Sequence, residues 1–446
     1  MATAKKKQQV DSKDVAAGRS KPKLTVNSFF AGIGGFDLGF ERSGMKPVFH
    51  CEINKFCKSV LSRHWPKAQY ASDITAIQPD DIPNADVWCG GFPCQDVSVA
   101  RGWLGRDGLQ GKNTGLFYPF ADLVKAKMPP VVLMENVSGL LSSHDGRDFA
   151  VILKSFQEMG YGVAWRTMNT RYFGAPQSRP RVYICAWKNS GIEAVNVLYE
   201  KGGTVKPESP RLGFLRATVS EETGAHVPEV AFCLAATSGR HTGTDWSRTY
   251  IAYEDEVRRL TPTECEKLQG FPEGWTFPHE DFHLSEDDID TLRYHAIGNA
   301  VSVPVVEWVA KRIRMEIESE APQAVVGIDP TQCIEYAKGR VADFAGPKAT
   351  AVLIETFVGR DNAPKIKWNS GGFMVDGHCV MAPVSASPRK VVHTHVVNAL
   401  DKFKPSSRYF LSPNAATGII RRVTSQNRHL FAPLDAALRK LAKKKK

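Results

Sequence analysis

The sequence lacks the features that would place this chain in a membrane or in an oxidising compartment. No stretch approaches the roughly 20 apolar residues that a membrane-spanning helix needs. The lysine-rich start leads into polar sequence rather than into the apolar segment of a signal peptide. The nine cysteines are an odd number without a CxxC pair, which argues against both a disulfide framework and a zinc knuckle. We therefore expect a soluble, cytoplasmic protein with reduced thiols, no metal site and no membrane partner.

Acidic residues are scarce at the carboxyl-terminal end. Residues 321–446 hold 20 Lys and Arg against 8 Asp and Glu, although the whole chain of 446 residues has a net charge of only +11. Residues 24–320 carry 31 basic and 37 acidic residues and are therefore net acidic. A basic block attached to an acidic body indicates a polyanionic partner, and nucleic acid is the first candidate.

Apolar runs that alternate with helix-like segments predict an α/β fold. The runs LTVNSFF, PVFHCEI, ADVWCGG, PPVVLMENV and RVYICAW are bounded by turn residues, as buried strands are. Helix-like pieces such as KFCKSVLSRHW separate them, which favours a mostly parallel sheet with helices on both faces. Shifts in composition and pattern divide the chain at 1–23, 24–188, 189–257, 258–320 and 321–446, with a disordered basic arm at the start and a basic extension at the end.

A glycine-rich turn follows the first predicted strand. Gly32, Gly34 and Gly35 lie in this turn, and Glu52 ends the next strand. Glycines let the backbone approach a cofactor closely, and a carboxylate at that position can accept hydrogen bonds from ribose hydroxyls. The pattern alone does not separate a nicotinamide cofactor from S-adenosylmethionine.

A cysteine follows one predicted strand, and a carboxyl group ends another. Cys94 comes just after ADVWCGG, and Glu135 ends PPVVLMENV. An accessible thiol at this edge of an open α/β sheet can act as a nucleophile, although most single cysteines are structural. The segment QSRPR adds Gln177, Arg179 and Arg181, which would project to one side if the backbone is extended.

These stretches together resemble the DNA (cytosine-5) methyltransferase family. The matching segments are FFAGIGG, GGFPCQDVS, ENV, QSRPR, RRLTPTECEKLQGFPEGW and AIGNAVSVPV, which run in the family's order across residues 24 to about 318. The resemblance implies a Rossmann-like methyltransferase fold that uses S-adenosylmethionine. It also implies methylation of C5 of a cytosine that is flipped out of double-stranded DNA.

The resemblance assigns roles to the matching residues. Cys94 would attack cytosine C6, Glu135 would bind or protonate N3, and Arg181 would contact O2, with Arg179 on phosphate or in support. The cofactor would be held by residues from several segments, namely Phe30, Gly32, Gly34, Gly35, Glu52, Asp73, Pro93, Leu116 and Asn299. Covalent addition at C6 makes C5 nucleophilic, which is why this chemistry needs a thiolate and a nearby acid.

DNA contacts are expected from three parts of the chain. The glycine-rich loop after Cys94 would close over the flipped base, and ATSGRHTGTDWSRTY in the recognition segment could contact a groove. The resemblance makes 24–188 the catalytic and cofactor-binding domain, 189–257 this short recognition segment and 258–320 an element that returns to the catalytic domain. Residues 184–257, however, hold ten acidic and only seven basic residues, so we expect recognition to be shared with the extension. There, SPNAATGIIRRVTSQNRHL could start a helix at Ser412 that carries Arg421, Arg422 and Arg428. The predicted DNA-binding residues are Gln95, Ser98, Arg101, Arg106, Gln177, Arg240, Arg248, Arg421 and Arg422.

The expected partners are double-stranded DNA and, functionally, a cognate restriction endonuclease that acts on the same site without forming a complex. A bacterial or phage-encoded monomer on the nucleoid fits these features. Two alternatives stay open at this point: an RNA cytosine-5 methyltransferase on the same scaffold, and a catalytically idle DNA-binding protein. A nicotinamide dehydrogenase would explain neither PCQ nor ENV, and no DPPY-like element of an amino-group methyltransferase is visible.

Overall fold

Glu135 and Arg181, two of the catalytic residues expected from the sequence, lie in strands of one large mixed sheet. In the computed structural model, residues 23–93, 115–202, 212–239, 245–280, 282, 284–319, 329–358 and 364–444 are described. The first strands and helices are β1 Thr25–Phe29, α1 Gly35–Arg42, β2 Lys46–Cys51, α2 Lys55–His64, β3 Gln69–Ala71, β4 Val87–Gly90, α3 Phe117–Lys127, β5 Val131–Val137, α4 Arg147–Glu158, β6 Tyr161–Asn169, β7 Pro180–Lys188 and α5 Ile192–Leu198. Each of the five apolar runs therefore contains a strand.

The sheet is mostly parallel and carries helices on both faces. Strands β3, β2, β1, β4 and β5 are parallel in that order, and β7 inserts antiparallel between β5 and β6. Alternate residues of β5 enter two separate cores, because successive side chains of a strand point to opposite faces. Val131 and Leu133 pack on the face that α1 covers, whereas Val132 and Met134 pack on the face that α3 and α4 cover. The predicted fold class is confirmed.

The middle of the chain forms a small antiparallel sheet and returns to the large one. Its elements are α6 Leu212–Leu215, β8 Ala217–Val219, β9 His226–Pro228, β10 Tyr250–Ala252, β11 Val257–Arg259, α7 Pro262–Gln269, α8 Glu286–Asn299 and α9 Val303–Glu318. Thr261 caps α7 and forms a capping box with Glu264. Helix α9 packs against α1 at Gly39, where a methyl group would lie 2.5 Å from Val306 Cγ1.

The basic extension is divided between the two sheets. Its elements are α10 Pro330–Arg340, α11 Ala342–Ala345, β12 Thr350–Leu353, β13 Gly371–Val375, β14 His378–Ala382, α12 Pro413–Ser425 and α13 Ala432–Ala442. Strand β13 pairs antiparallel with β6, so β13, β14 and β12 lengthen the catalytic sheet at its edge. Helices α12 and α13 instead cover the small sheet, where they share a core with Tyr250 and Val257.

Helix α12 begins where the sequence predicted but ends earlier. The Ser412 side chain accepts a hydrogen bond from the Ala415 amide, with Pro413 at the first position. Arg421 and Arg422 lie in the helix, whereas Arg428 lies beyond its last residue, Ser425. The expectation that the helix carries Arg428 is therefore wrong, because the chain turns at Asn427, which has a φ of 49°.

Ion pairs explain how an acidic recognition segment coexists with a basic extension. Acidic residues 254–256 lie just before β11. Lys440 pairs with Glu254 at 3.2 Å, Lys404 with Glu256 at 2.5 Å, and Lys444 with Asp255 at 2.6 Å. Each exposed pair contributes only about 0–1 kcal/mol to stability. Together, however, they neutralise an acidic stretch that would otherwise repel a polyanion.

The helices of the described residues are too short or too polar to cross a membrane.

Candidate active site

The candidate active site lies at the carboxyl ends of β4 and β5. These strands are parallel neighbours, with Gly90 opposite Met134. The chain that leaves β4 passes against Glu135, because a methyl group on Gly91 would lie 3.2 Å from the Glu135 carbonyl oxygen and 3.5 Å from its Oε2. Pro93 follows and is half-buried. The expectation that the two predicted strands share an edge is therefore confirmed for Glu135 and for the chain leading to Cys94.

Several predicted residues lie outside the described residues. These are Cys94, Gln95, Ser98, Arg101, Arg106 and Arg240, and the glycine-rich loop after Cys94 belongs with them. Their roles remain predictions.

Glu135 is a buried carboxyl group beside an arginine. Only 8% of the residue is exposed, and its Oε1 lies 3.1 Å from Nε of Arg181. Burial raises the pKa of Glu135, while the positive charges of Arg181 and Arg179 oppose the rise without cancelling it. The carboxyl group therefore holds its proton to a higher pH than an exposed glutamate does. Such a group can donate a hydrogen bond or a proton to a ligand.

Arg181 links Glu135 to a second thiol, Cys233, which the sequence analysis did not single out. Nη2 of Arg181 donates to Sγ of Cys233 at 3.8 Å, and Nη1 of Arg179 donates to the same sulfur at 3.5 Å. Desolvation acts to raise the pKa of Cys233, but the two guanidinium groups outweigh it and the net pKa lies below the usual value. Cys233 is nevertheless an exposed residue. The FCLA context of this cysteine gives no signal in a single sequence that it would reach the site.

Arg179 is held inside the protein rather than at a surface. The residue is 2% exposed, and its guanidinium donates to the carbonyl oxygens of Leu234, Gly298 and Ala300 at 2.9, 3.1 and 2.7 Å. Its backbone amide also donates to the side chain of Asn169. Arg179 therefore joins residue 234 of the recognition segment to the end of α8. Of the two roles expected for it, this placement supports the structural one.

Gln177 is fully buried, so it has no surface to offer to DNA. Its Nε2 donates to the Leu268 carbonyl at 3.0 Å and to Oε1 of Gln269 at 3.1 Å, and its Oε1 accepts from the Leu234 amide. The predicted DNA contact of Gln177 is therefore corrected to an internal one. The expectation that Gln177, Arg179 and Arg181 point to one side holds, since all three contact the 233–234 segment.

The glycine-rich turn and Glu52 form the other half of the site. The Gly32 amide donates to Oε2 of Glu52 at 2.7 Å, and the Asn54 amide donates to Oε1 at 2.7 Å. Burial raises the pKa of Glu52, and these backbone hydrogen bonds oppose the rise. A carboxylate has about four acceptor positions, and the backbone of Gly32, Ile53 and Asn54 uses about three of them, so one lone pair remains for a ribose hydroxyl. A methyl group on Gly32 would meet no atom within 4 Å, so the space beside this turn is open.

Gly34 and Gly35 serve packing. Gly34 precedes α1 with a φ of 79°, and a methyl group there would lie 2.3 Å from the Trp65 ring. A methyl group on Gly35 would lie 2.7 Å from Val301. These glycines allow the turn to sit against the protein, which leaves the open side of Gly32 to a cofactor.

The remaining predicted cofactor residues surround this region without contacting one another. Phe30 has a φ of 53° and its ring lies edge-on to Phe120. Asp73 accepts hydrogen bonds from the Thr75 amide and hydroxyl, which lower its pKa, and it lines an open cleft. Leu116 precedes α3 and is half-buried. Asn299 ends α8 with its amide 3.4 Å from His295 Nδ1. The open turn and the remaining acceptor position of Glu52 fit an adenosyl cofactor, which Phe30 and Asp73 could also contact.

Two of the predicted DNA-binding arginines are engaged within the protein. Arg248 donates to the Thr237 carbonyl at 2.7 Å and to the Thr237 hydroxyl at 3.0 Å. Nε of Arg422 lies 2.7 Å from Oδ2 of the buried Asp245. Arg421 is exposed. Arg421 is therefore accessible, whereas Arg248 and Arg422 hold the recognition segment in place.

Comparisons with known proteins agree with this site. The family model described as C-5 cytosine-specific DNA methylase matches residues 24–212 and 205–315. The chain is 32% identical over 306 residues to the type II methyltransferase M.NgoBI of Neisseria gonorrhoeae, covering 63% of this chain and 90% of that protein. It is 32% identical over 327 residues to M1.ScrFI of Lactococcus lactis subsp. cremoris, covering 67% of this chain and 80% of that one.

A solved structure resembles the fold. The methyltransferase EhMeth of Entamoeba histolytica superposes with a TM-score of 0.50 at 18% identity, and the match covers 67% of this chain and the whole of that one. At this identity the likeness concerns the fold alone. The family match spans the glycine-rich turn, Glu135 and Arg181, so the chain belongs to the C-5 cytosine-specific DNA methylases and is a DNA cytosine methyltransferase that uses S-adenosylmethionine.

Proposed function

We propose that this chain methylates C5 of a flipped-out cytosine in a specific double-stranded DNA sequence through a covalent adduct with Cys94. The observation that carries the proposal is the buried Glu135, whose Oε1 lies 3.1 Å from Nε of Arg181 and whose pKa burial raises. A cytosine inside a duplex cannot reach a carboxyl group that is 8% exposed. Extrusion of the base solves this geometric problem.

Cys94 and Glu135 perform the addition step of the proposed reaction. The Cys94 thiolate forms a bond to C6, and Glu135 supplies a hydrogen bond or proton to N3, so the ring becomes an enamine with electron density at C5. S-adenosylmethionine supplies an electrophilic methyl group, which C5 takes as the methyl–sulfur bond breaks. Loss of the C5 proton to a base then expels Cys94 as thiolate, which restores the aromatic ring and frees the nucleophile.

Arg181 is proposed to hold the base in register. Its guanidinium lies between Glu135 and Cys233 and would donate to the cytosine O2. An arginine fixed at both ends loses little further conformational freedom when the base arrives. This arrangement would place N3 against Glu135 and O2 against Arg181, which is a pattern that thymine cannot satisfy at N3 without a change in protonation.

The remaining residues are proposed to complete the site. Glu52 would accept from the ribose, and Phe30, Asp73, Pro93, Leu116 and Asn299 would surround the adenosyl group. Gln95, Ser98, Arg101, Arg106 and Arg240 are proposed to contact DNA on the evidence of their sequence positions alone.

The similarity to proteins named type II methyltransferases supports a role in restriction–modification. We propose that methylation protects the recognition sequence from an endonuclease that cuts the same site. Digestion of DNA from expressing cells with endonucleases of matching specificity tests this role, because protection should follow the methylated sequence.

Cytosine-conversion sequencing tests the activity. DNA from cells that express the wild type should show protected cytosines in one short context, and the Cys94→Ala variant should abolish this protection while retaining cofactor binding. Cys333→Ala is a matched control, since Cys333 is buried in α10 away from Glu135. Retained methylation in Cys94→Ala would remove Cys94 from the mechanism. Uniform conversion with folded wild-type protein would refute DNA methylation, and transfer to RNA alone would establish the alternative substrate.

A further inference from the structure

The end of α12 lies against a segment that leaves the catalytic edge. The chain departs at Cys233, beside Arg181, and returns at Thr249, whose hydroxyl accepts from the Phe232 amide at 2.9 Å. Residues 245–247 of this excursion form a short 3-10 turn. Residues 240–244 lie outside the described residues. Both ends of the excursion are thus fixed close to the candidate active site.

Two arginines anchor α12 and the turn after it to this excursion. Arg422 pairs with the buried Asp245, whose other oxygen accepts from the Tyr250 hydroxyl at 2.9 Å. The Arg428 guanidinium lies over the Trp246 ring, 4.3 Å from its centroid. The position of the turn relative to the excursion is therefore set by a partly buried ion pair and a stacked cation.

The surface that these anchors present is basic and polar. Ala416, Ile419 and Val423 form the buried face of α12. The exposed edge, which we call the basic turn, contains Arg421, Thr424, Ser425, Gln426, Asn427, Arg428 and His429. No acidic residue occurs between Pro413 and Leu434. The basic turn therefore combines positive charge with amide side chains that can both donate and accept hydrogen bonds.

Several other cations of the extension are held in ion pairs, whereas the exposed arginines of the basic turn are not, in the part of the chain that the structure describes. Lys404, Lys440 and Lys444 pair with acidic residues of the recognition segment, and Arg408 lies 2.9 Å from Asp290. Within the described residues, by contrast, Arg421 forms no ion pair and Arg428 contacts an aromatic ring instead of a carboxylate. Two cations remain available to an external anion, on a surface next to the excursion.

We propose that the basic turn binds the duplex DNA that flanks the target cytosine, with Arg421 and Arg428 on phosphates and Gln426 or Asn427 at a groove edge. Arginine on phosphate fixes register, and asparagine or glutamine can contact adenine edges. This inference rests on the proposed function for the position of the target base. It goes beyond that function by assigning part of the DNA surface to the carboxyl-terminal extension.

The test uses fluorescence anisotropy to measure the binding of a mixed-sequence 40-base-pair DNA duplex at a series of salt concentrations. Arg421→Gln/Arg428→Gln should lower the salt slope, which is the steepness of log K plotted against log salt concentration, by about 1.8, because each lost phosphate contact lowers that slope by about 0.9. At about 0.15 M salt this corresponds to roughly 30-fold weaker binding. Arg421→Lys/Arg428→Lys should restore most of the slope, since it keeps both charges.

A matched control separates a local contact from a general charge effect. Lys348→Gln/Lys390→Gln removes two exposed charges from the same extension, before β12 and after β14, and neither lysine forms an ion pair within the described residues. This pair should change the slope by less than about 0.5. Equal losses in both pairs, or an unchanged slope in the Arg421 and Arg428 variant, would overturn the proposal. Weakened binding of an RNA duplex with unchanged DNA binding would overturn it as well.

Methyl transfer by the same proteins distinguishes the two proposals. Arg421→Gln/Arg428→Gln should raise the KM for DNA and leave kcat at saturating DNA near the wild-type value. If wild-type protein binds DNA with the expected slope but transfers no methyl group, the proposed function fails and the DNA surface stands. If methylation is normal and the substitutions leave binding unchanged, the DNA surface fails and the function stands. Thermal melting confirms that each variant is folded.

Discussion

Replacing Arg179 should lower the stability of the protein, whereas replacing Arg181 should mainly impair methyl transfer, and this contrast can be measured. Arg179→Met removes three hydrogen bonds to the carbonyl oxygens of Leu234, Gly298 and Ala300. The site is 2% exposed, so water cannot readily replace the guanidinium.

The size of the effect follows from the number of carbonyl groups left unpaired. A buried polar group without a partner costs about 1–3 kcal/mol. Relief from burying a charge offsets part of this loss, so we expect a net destabilisation of about 3–5 kcal/mol. At roughly 2 °C per kcal/mol for a large chain, the Tm should fall by about 6–10 °C.

Arg181→Met provides the comparison. Its side chain is 14% exposed, and its described acceptors are the Pro180 carbonyl and the Cys233 sulfur. Glu135 can stay protonated when Arg181 is lost, so we expect a Tm change below about 3 °C. Methyl transfer, however, should fall by more than about 100-fold because the base loses its O2 donor.

Differential scanning fluorimetry with and without S-adenosylhomocysteine gives the two Tm values, and transfer of a tritiated methyl group gives the rates. An Arg179→Met protein that melts with the wild type but no longer binds DNA would refute the reasoning. It would show that Arg179 reaches phosphate and is not needed to hold the recognition segment.

Three further predictions concern the acid, the second thiol and the extension. Burial raises the pKa of Glu135, so the contribution of this residue to stability is complete at low pH and is lost as pH rises through the raised pKa. The single-turnover rate should fall over the same pH range. The Glu135→Gln variant should be slow at every pH from about 5 to 9. A wild-type rate profile that rises across this range would contradict the protonated acid. Cys233→Ala should lower kcat by about 10-fold while the KM for the cofactor stays constant, since Arg181 loses one charge-assisted hydrogen bond. Cys233→Ser is the conservative comparison. An unchanged kcat would show that the sulfur does not position Arg181. Truncation after residue 320 should expose β6 because it removes β13. The shortened chain should then aggregate or bind a hydrophobic dye rather than simply lose DNA affinity. A monodisperse truncated protein with the wild-type Tm would show that the added strands are dispensable.

The structure explains why charge alone did not describe the extension correctly. The sequence analysis treated residues 321–446 as one basic block. The structure places one part of the block in the catalytic sheet and another on the small sheet, and several of its lysines neutralise acidic residues there. Composition reports how many charges a segment has, whereas their partners depend on contacts between residues far apart in sequence.

The sequence by itself determined the catalytic scaffold. Short-range patterns specify the apolar strands, the glycine turn at Gly32, the cap at Thr261 and the helix start at Ser412, since each depends on neighbouring residues only. The edge of the sheet at which Glu135 lies also followed, because parallel strands joined by helices bring their carboxyl ends together, and Cys94 was expected to share that edge.

Only the tertiary structure decided what each polar side chain does. Gln177, Arg179 and Arg181 are alternate residues of one segment, yet the first two are buried in hydrogen bonds to distant carbonyls and amides, while the third lies against Glu135. Cys233 lies 52 residues from Arg181, and Arg422 lies 177 residues from Asp245. Exposure and partner choice at such separations come from the packing of whole elements, and no local sequence pattern encodes them.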